Sequence, residues 1–309
     1  MTKISVIGAG NVGATCANVL AINKIASEVV LLDIKEGVAE GKTVDMLQSA
    51  HSLSFETNIT GVTNDYSKTA DSGIIIVSSG IPRKPGMTRE ELIETNAGIV
   101  KSVVINCLSY SPNAIFIIIS NPMDTMTYLA LKATGLPKNR IIGMGGLLDS
   151  SRFKYYLSRA LQVNPLQIDA MVIGGHGDTT MIPLKRLATY NSIPVSELLS
   201  IEALNKAVAD TMVGGATLTG LLGTSAWYAP GAAGAYVAQS IIDDYKRLIP
   251  SCVYLEGEYG QNDICIGVPA IIGRNGVEKI VTLELNNEEM ELFSKSADAV
   301  RATNQILNS

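Results

Sequence analysis

The sequence predicts an α/β fold: a doubly wound parallel sheet over residues 1–145, followed by an α+β domain over residues 146–309. Three observations carry this. Short, almost wholly apolar runs alternate with helical patterns through the first 145 residues. The rhythm changes near residue 145, after which strand patterns gather between helices. The chain length of 309 residues suits about two domains at roughly 150 residues each.

The N-terminal elements follow from periodicity. Runs at Ile4–Ile7, Val29–Leu32, Ile74–Val77, Ile115–Ile119 and Ile141–Ile142 are β-rich and apolar throughout. Such strands are buried on both faces, as in a parallel sheet covered by helices. Helical patterns at Val12–Ala21, Val38–Ala50 and Glu90–Leu108 supply the covering layers. In the second half, Leu147–Leu161, Ser196–Met212, Ala232–Leu248 and Asn287–Leu307 read as helices. Ile168–Ile173, Met181–Leu184, Val253–Leu255, Ile264–Ile266 and Ile280–Leu283 read as strands. There is no internal repeat and no low-complexity segment.

Composition narrows the function classes. A net charge of −5 argues against nucleic acid or an anionic membrane surface as partner. No apolar run approaches the roughly 18 residues of a membrane span. No basic stretch followed by a long apolar one precedes the first strand, so a cytoplasmic location is expected. Cys16, Cys107, Cys252 and Cys265 form no CxxC pair and are expected to be reduced thiols. With only His51 and His176, a metal site built on a histidine cluster is excluded and no metal is expected.

Gly8-Ala9-Gly10-Asn11-Val12-Gly13 follows the first strand and opens the first helix. In that context a GxGxxG run reads as a dinucleotide fingerprint of the Rossmann type. Gly8 makes the tight turn, Gly10 admits a pyrophosphate to the backbone, and Gly13 lets helix and strand pack closely. The helix N-terminus adds N–H donors and the positive end of a dipole. Asp33 closes the second strand 20 residues beyond Gly13, where its carboxylate accepts from ribose hydroxyls. A carboxylate there repels a 2′-phosphate, so NAD is expected over NADP, with Lys35 softening the repulsion.

Gly80-Ile81-Pro82-Arg83-Lys84-Pro85-Gly86-Met87-Thr88-Arg89 follows the Ile74–Val77 strand. Ligands bind beyond the carboxyl ends of such strands, which sets this loop over the crevice. Prolines stiffen it and glycines are candidate hinges. Clustered cations alone fit a solvated run as well as a binding loop.

Asp149 and Arg152 are three apart in a helical pattern and share one face, a spacing that fits a surface ion pair as well as a site. His176, within Gly174-Gly175-His176-Gly177-Asp178, belongs to a turn rather than a core. His51 reads as a cation at a helix C-terminus. Asn121-Pro122-Met123-Asp124 ends the fifth strand at the same sheet edge. Asn121 is placed to hydrogen-bond a ligand, and Asp124 is expected to cap the next helix. Asn96 reaches toward the cofactor from the helix after the loop, or is a plain exposed asparagine.

Together these segments resemble the lactate/malate dehydrogenase superfamily. The closer resemblance is to the lactate-dehydrogenase-like branch of malate dehydrogenases. GAGNVG at 8–13, PRKPGMTR at 82–89, NPMD at 121–124, LDSSRF at 148–153 and GGHGD at 174–178 stand in that family's order and spacing. The resemblance implies that His176 exchanges the proton and that Asp149 orients its imidazole. It implies that Arg152 holds the substrate C1 carboxylate, a task that suits a planar guanidinium. By the same resemblance, Arg89 polarises the reacting carbonyl and Asn121 bonds the substrate oxygen. Asn96 and the Ile119-Ser120-Asn121 backbone would contact NAD, along with the residues at 8–13 and Asp33. Lactate-active relatives carry glutamine where Arg83 stands, so Arg83 implies a second substrate carboxylate, as in malate and oxaloacetate. A monocarboxylate would leave Arg83 unpaired in a closed site, a costly arrangement. Relatives assemble as homotetramers or homodimers. A homotetramer is expected here, with Val12–Ala21 and Ala232–Ile242 as candidate interface helices. Gly145 and Ser151, where alanine is expected in the family, are departures expected to touch no catalytic side chain.

Overall fold

The computed structural model describes residues 2–82 and 87–308. Arg83, Lys84, Pro85 and Gly86 of the basic loop lie outside the described residues, as does the side chain of Arg89. Six strands open the chain: β1 (Lys3–Ile7), β2 (Glu28–Asp33), β3 (Asn58–Thr63), β4 (Ile74–Val77), β5 (Ile115–Ile118) and β6 (Ile141–Gly143). They run parallel in the order β3-β2-β1-β4-β5-β6. The order reverses between β1 and β4, the point at which open α/β sheets bind ligands. Ile7 is level with both Leu32 and Val77. Gly8, Asp33 and Ser78 therefore leave the sheet side by side.

β4 and β5 are buried at every position, and β4 is Ile-Ile-Ile-Val. β3 carries no comparable signal. Its Asn-Ile-Thr-Gly-Val-Thr run alternates exposed and buried residues because it is the sheet's edge. A side chain at Gly61 would strike the backbone of Ala39 and Glu40, so the glycine admits the neighbouring helix.

The helices are α1 (Asn11–Ile22), α2 (Val38–Gln48), α3 (Ala50–Leu53), α4 (Arg89–Tyr110), α5 (Met123–Thr134), α6 (Gly145–Leu161), α7 (Ile201–Met212), α8 (Gly214–Leu222), α9 (Tyr228–Ile242) and α10 (Asn287–Gln305). α4 and α5 cover one sheet face, and α1 and α9 pack together on the other. A Cβ at Gly231 would sit 2.7 Å from Thr15 Cβ, and one at Gly234 2.8 Å from Ile119 Cδ1. α1 and α9 thus bury their apolar faces on each other within one chain.

The second half adds β7 (Ile168–Asp169), β8 (Val172–Gly174), β9 (Met181–Pro183), β10 (Thr189–Tyr190), β11 (Ile193–Pro194), β12 (Arg247–Glu256), β13 (Asn262–Gly273) and β14 (Gly276–Ile280). β12 pairs antiparallel with β6 through Cys252 and Gly143. The parallel sheet therefore continues as β6-β12-β13-β8-β9 with β14 on β13, and among the described residues eleven strands form one sheet. β7, β10 and β11 form a small separate sheet.

Four boundaries differ from the sequence reading. The strand expected over Ile280–Leu283 lies earlier, as β14, and reaches only Ile280. The Ile168–Ile173 run divides into β7 and β8, which join different sheets. The helix expected over Ala232–Leu248 stops at Ile242. Left-handed Asp244 and Lys246 turn the chain, and Arg247 and Leu248 open β12. The helix expected from Ser196 starts after Ser200, whose hydroxyl caps it by accepting from Ala203 N–H, while Val195–Glu197 form a separate turn.

Candidate active site

The glycine turn after β1 is built for close approach. Gly8 has φ +105° and donates to Leu32 O at 2.8 Å. A Cβ at Gly13 would overlap the Gly8 carbonyl oxygen, whereas one at Gly10 would point into open space. Gly10 is the N-cap of α1 and offers no side-chain cap, so the first-turn N–H groups face the crevice without a side-chain acceptor. Asp33 Oδ2 accepts from Ala9 N–H at 2.6 Å and Oδ1 from Lys35 N–H at 2.9 Å. Lys42 Nζ donates to Ala9 O at 2.7 Å. A pyrophosphate fits this cradle on two counts, an open Cβ direction at Gly10 and an uncapped helix start, and the carboxylate anchored beside the turn suits a ribose.

The β4 and β5 ends are tied to this turn. Ser78 Oγ donates to Gly8 O at 3.1 Å, and Ser120 Oγ donates to Ser79 O at 2.5 Å. Ile119 and Ser120 are nearly buried, while Asn121 is exposed ahead of a cis bond to Pro122. Asn96 is buried rather than exposed. Its Oδ1 accepts from Ile81 N–H at 2.9 Å, and its Nδ2 donates to Ile81 O at 3.3 Å and Asn121 O at 2.9 Å. Both amide donors are thus engaged inside the protein. Asn96 joins the start of the basic loop to Asn121.

α6 presents Asp149 and Arg152 one turn apart, and the turn after β8 brings His176 to them. Asp149 is 1% exposed. Its Oδ2 lies 2.7 Å from His176 Nδ1 and its Oδ1 accepts from Arg152 Nη1 at 3.0 Å. Burial pushes the His176 imidazolium down, but the charge and hydrogen bond of Asp149, with the charge of Asp124, outweigh it and raise the group above an ordinary histidine. Among the described residues, the Arg152 Nε is buried with no hydrogen-bond partner. A buried guanidinium N–H left over from one carboxylate is suited to an anionic ligand. This pair is therefore no surface ion pair.

Asp124 departs from its expected task. The N-cap of α5 is Pro122, and Asp124 stands at the second helical position without making a cap hydrogen bond. It is buried, and its Oδ2 accepts from the main-chain N–H of His176 at 2.6 Å. Gly145 also differs from expectation. A Cβ there would lie 2.7 Å from His176 Cγ and would overlap Met123 Cε. The missing side chain is the space in which the imidazole sits. Ser296 of α10 was not legible as a site residue. Its Oγ accepts from Gly175 N–H at 2.9 Å and donates to Thr180 O at 2.7 Å, which pins the histidine turn across 121 positions. No local pattern marks such a contact. Among the described residues no group of acidic, histidine and cysteine side chains is arranged to hold a metal ion. No helix among them is long and apolar enough to cross a membrane.

Comparison with known proteins follows the same division of residues. Residues 2–143 match the family model of the lactate/malate dehydrogenase NAD binding domain, and residues 147–306 match that of its α/β C-terminal domain. The chain is 69% identical to the malate dehydrogenase of Parabacteroides distasonis, over 99% of this chain and 98% of that one. It is equally similar to that of Flavobacterium johnsoniae, over 99% of both. Its fold superposes on malate dehydrogenase from Salinibacter ruber with a TM-score of 0.95 at 41% identity, covering 99% and 98% of the two chains. It also superposes on a Cryptosporidium parvum lactate dehydrogenase complexed with lactic acid and nicotinamide adenine dinucleotide, with a TM-score of 0.95 at 35% identity over 100% and 98%. The chain belongs to the lactate/malate dehydrogenase family.

Proposed function

We propose that the protein is an NAD-dependent malate dehydrogenase that interconverts malate and oxaloacetate. The observation that carries the reading is the Asp149 carboxylate held between His176 and Arg152. Binding alone needs no buried acid–base pair.

The nicotinamide, when bound, supplies or accepts the hydride. The chain manages the proton and the charge. His176 uses Nδ1 on Asp149, which leaves Nε2 to give its proton to the carbonyl oxygen in reduction and to take it back in oxidation. Asp149 orients the ring and stabilises the imidazolium. Arg152 pairs with the C1 carboxylate through donors that Asp149 leaves free. By the family resemblance, Arg89 steadies the charge developing on the substrate oxygen. Asn121 bonds that oxygen, and Arg83 pairs with the distal carboxylate. Gly8, Ala9, Gly10, Asn11, Val12 and Gly13 hold the pyrophosphate, and Asp33 the adenosine ribose. The Ile119-Ser120-Asn121 backbone and Asn96 would contact the cofactor, by the same resemblance. Asn96 keeps the loop and Asn121 in register.

A division near residue 145, with dinucleotide before it and acid–base chemistry after it, fits the fingerprint at one end and α6 at the other. Four buried free thiols suit a reducing cytoplasm. A homotetramer, with a dimer as the lesser assembly, would cover exposed apolar side chains such as Val44, Leu47, Leu221 and Leu222.

The experiment is His176→Asn. Turnover of NADH with oxaloacetate is expected to vanish while NADH still binds with native affinity. Retained turnover would remove His176 as the proton carrier.

A further inference from the structure

The main-chain N–H of His176 needs only an acceptor, and an asparagine amide oxygen would serve. The protein instead buries a carboxylate there. Asp124 Oδ2 accepts the bond at 2.6 Å, while Oδ1 is buried and, among the described residues, makes no hydrogen bond of ordinary geometry, with the Cys252 thiol as the carboxylate's polar neighbour. Burying an ionisable group beyond what the hydrogen bond requires is unfavourable unless its charge has a task. Asp124 stands in the first turn of α5, where the helix favours an anion.

We propose that Asp124 is a positioning residue of the acid–base unit, holding His176 by its main chain and setting a second carboxylate beside Asp149 in the field of the imidazole. The proposal rests on the reading of His176 as proton carrier. The groups that face this histidine are Asp149 and Arg152 from α6 and Asp124 from α5. Cys252 of β12 in turn neighbours Asp124 and Cys265 of β13. Burial raises Asp124, and the His176 N–H bond and the imidazolium charge oppose that rise. The two groups thus favour each other's charged forms, and a neutral side chain at 124 would remove that mutual support.

The chain has only two histidines, and His51 is exposed on α3. Its imidazole signals therefore separate a site effect from a global one. In 13C-histidine-labelled protein without substrate, Asp124→Asn is expected to lower the His176 titration midpoint by about one pH unit and to leave His51 unmoved. The limb of kcat/KM for oxaloacetate that reports His176 is expected to move with it, with KM for NADH unchanged. A His176 midpoint equal to the native one would overturn the proposal. Should Asp124→Asn fail to fold, the carboxyl carbon of Asp124 in native protein is the second readout. It is expected to shift as His176 titrates, and a carboxyl signal indifferent to that midpoint would equally overturn the proposal. Failure of the proton-carrier reading itself would show separately, as turnover by His176→Asn.

Discussion

Asp149 Oδ2 lies 2.7 Å from His176 Nδ1 although the residues are 27 positions apart and belong to different elements. The contact joins the start of α6 to the turn after β8. The first follows β6, and the second enters the same sheet through β13. The continuous sheet is what brings a helix residue and a glycine-flanked turn into hydrogen-bond range.

With His176 as the proposed proton carrier, the pair is expected to set opposite pH limbs for the two directions. Reduction needs His176 protonated, so kcat/KM for oxaloacetate should fall as pH rises through a midpoint above the ordinary histidine value of about 6.5. Oxidation of malate should fall as pH drops through the same midpoint. The sign carries over to stability. A raised imidazolium contributes fully below about pH 6.5, and that contribution fades as pH rises through the folded midpoint. Asp149→Asn should lose about 10³–10⁴-fold in turnover and move both limbs to lower pH, as rate profiles in each direction will measure.

Arg152 offers a separate handle. Arg152→Lys keeps a charge but loses the planar fork, and the orphaned Nε position goes with it. KM for oxaloacetate should rise by about 10²-fold or more, equivalent to about 3 kcal/mol, while NADH affinity stays native. Steady-state kinetics alongside NADH fluorescence titration separates the two quantities.

Gly13→Ala tests the cradle. The added Cβ meets the Gly8 carbonyl oxygen, which is backbone and does not yield. Thermal or denaturant unfolding should register a loss of about 3 kcal/mol, and NADH binding should weaken with it. Gly10→Ala, facing open space in the free protein, should leave stability within about 1 kcal/mol while still weakening NADH. A mutant pair with equal stability would contradict the assigned difference between the two glycines.

Much of this was legible in the chain. β1, β2, β4 and β5 announce themselves as short apolar runs because both faces are covered. β3 does not, since an edge strand leaves only two of its six residues fully buried. The end of α9 was illegible because Asp243-Asp244-Tyr245-Lys246-Arg247 suits an exposed helix face as well as a turn, and only the left-handed backbone at Asp244 and Lys246 ends the helix. At the site, the glycine fingerprint and the i,i+3 pair on α6 are local patterns and could be read. Ser296 against Gly175, Asn96 against Asn121 and Asp124 against His176 are contacts between distant segments. They exist only after the sheet has been assembled, and so does the space that Gly145 leaves for the imidazole.

The central claim is a dehydrogenase for a four-carbon dicarboxylate, and NADH absorbance tests it most directly. The native protein is assayed with oxaloacetate and with pyruvate at equal concentration and neutral pH. Rapid oxidation with oxaloacetate and little with pyruvate is the expected result, because Arg83 would be left unpaired by the monocarboxylate. A preference for pyruvate would contradict the claim, and it would do so while leaving the fold and the Asp149–His176 pair intact.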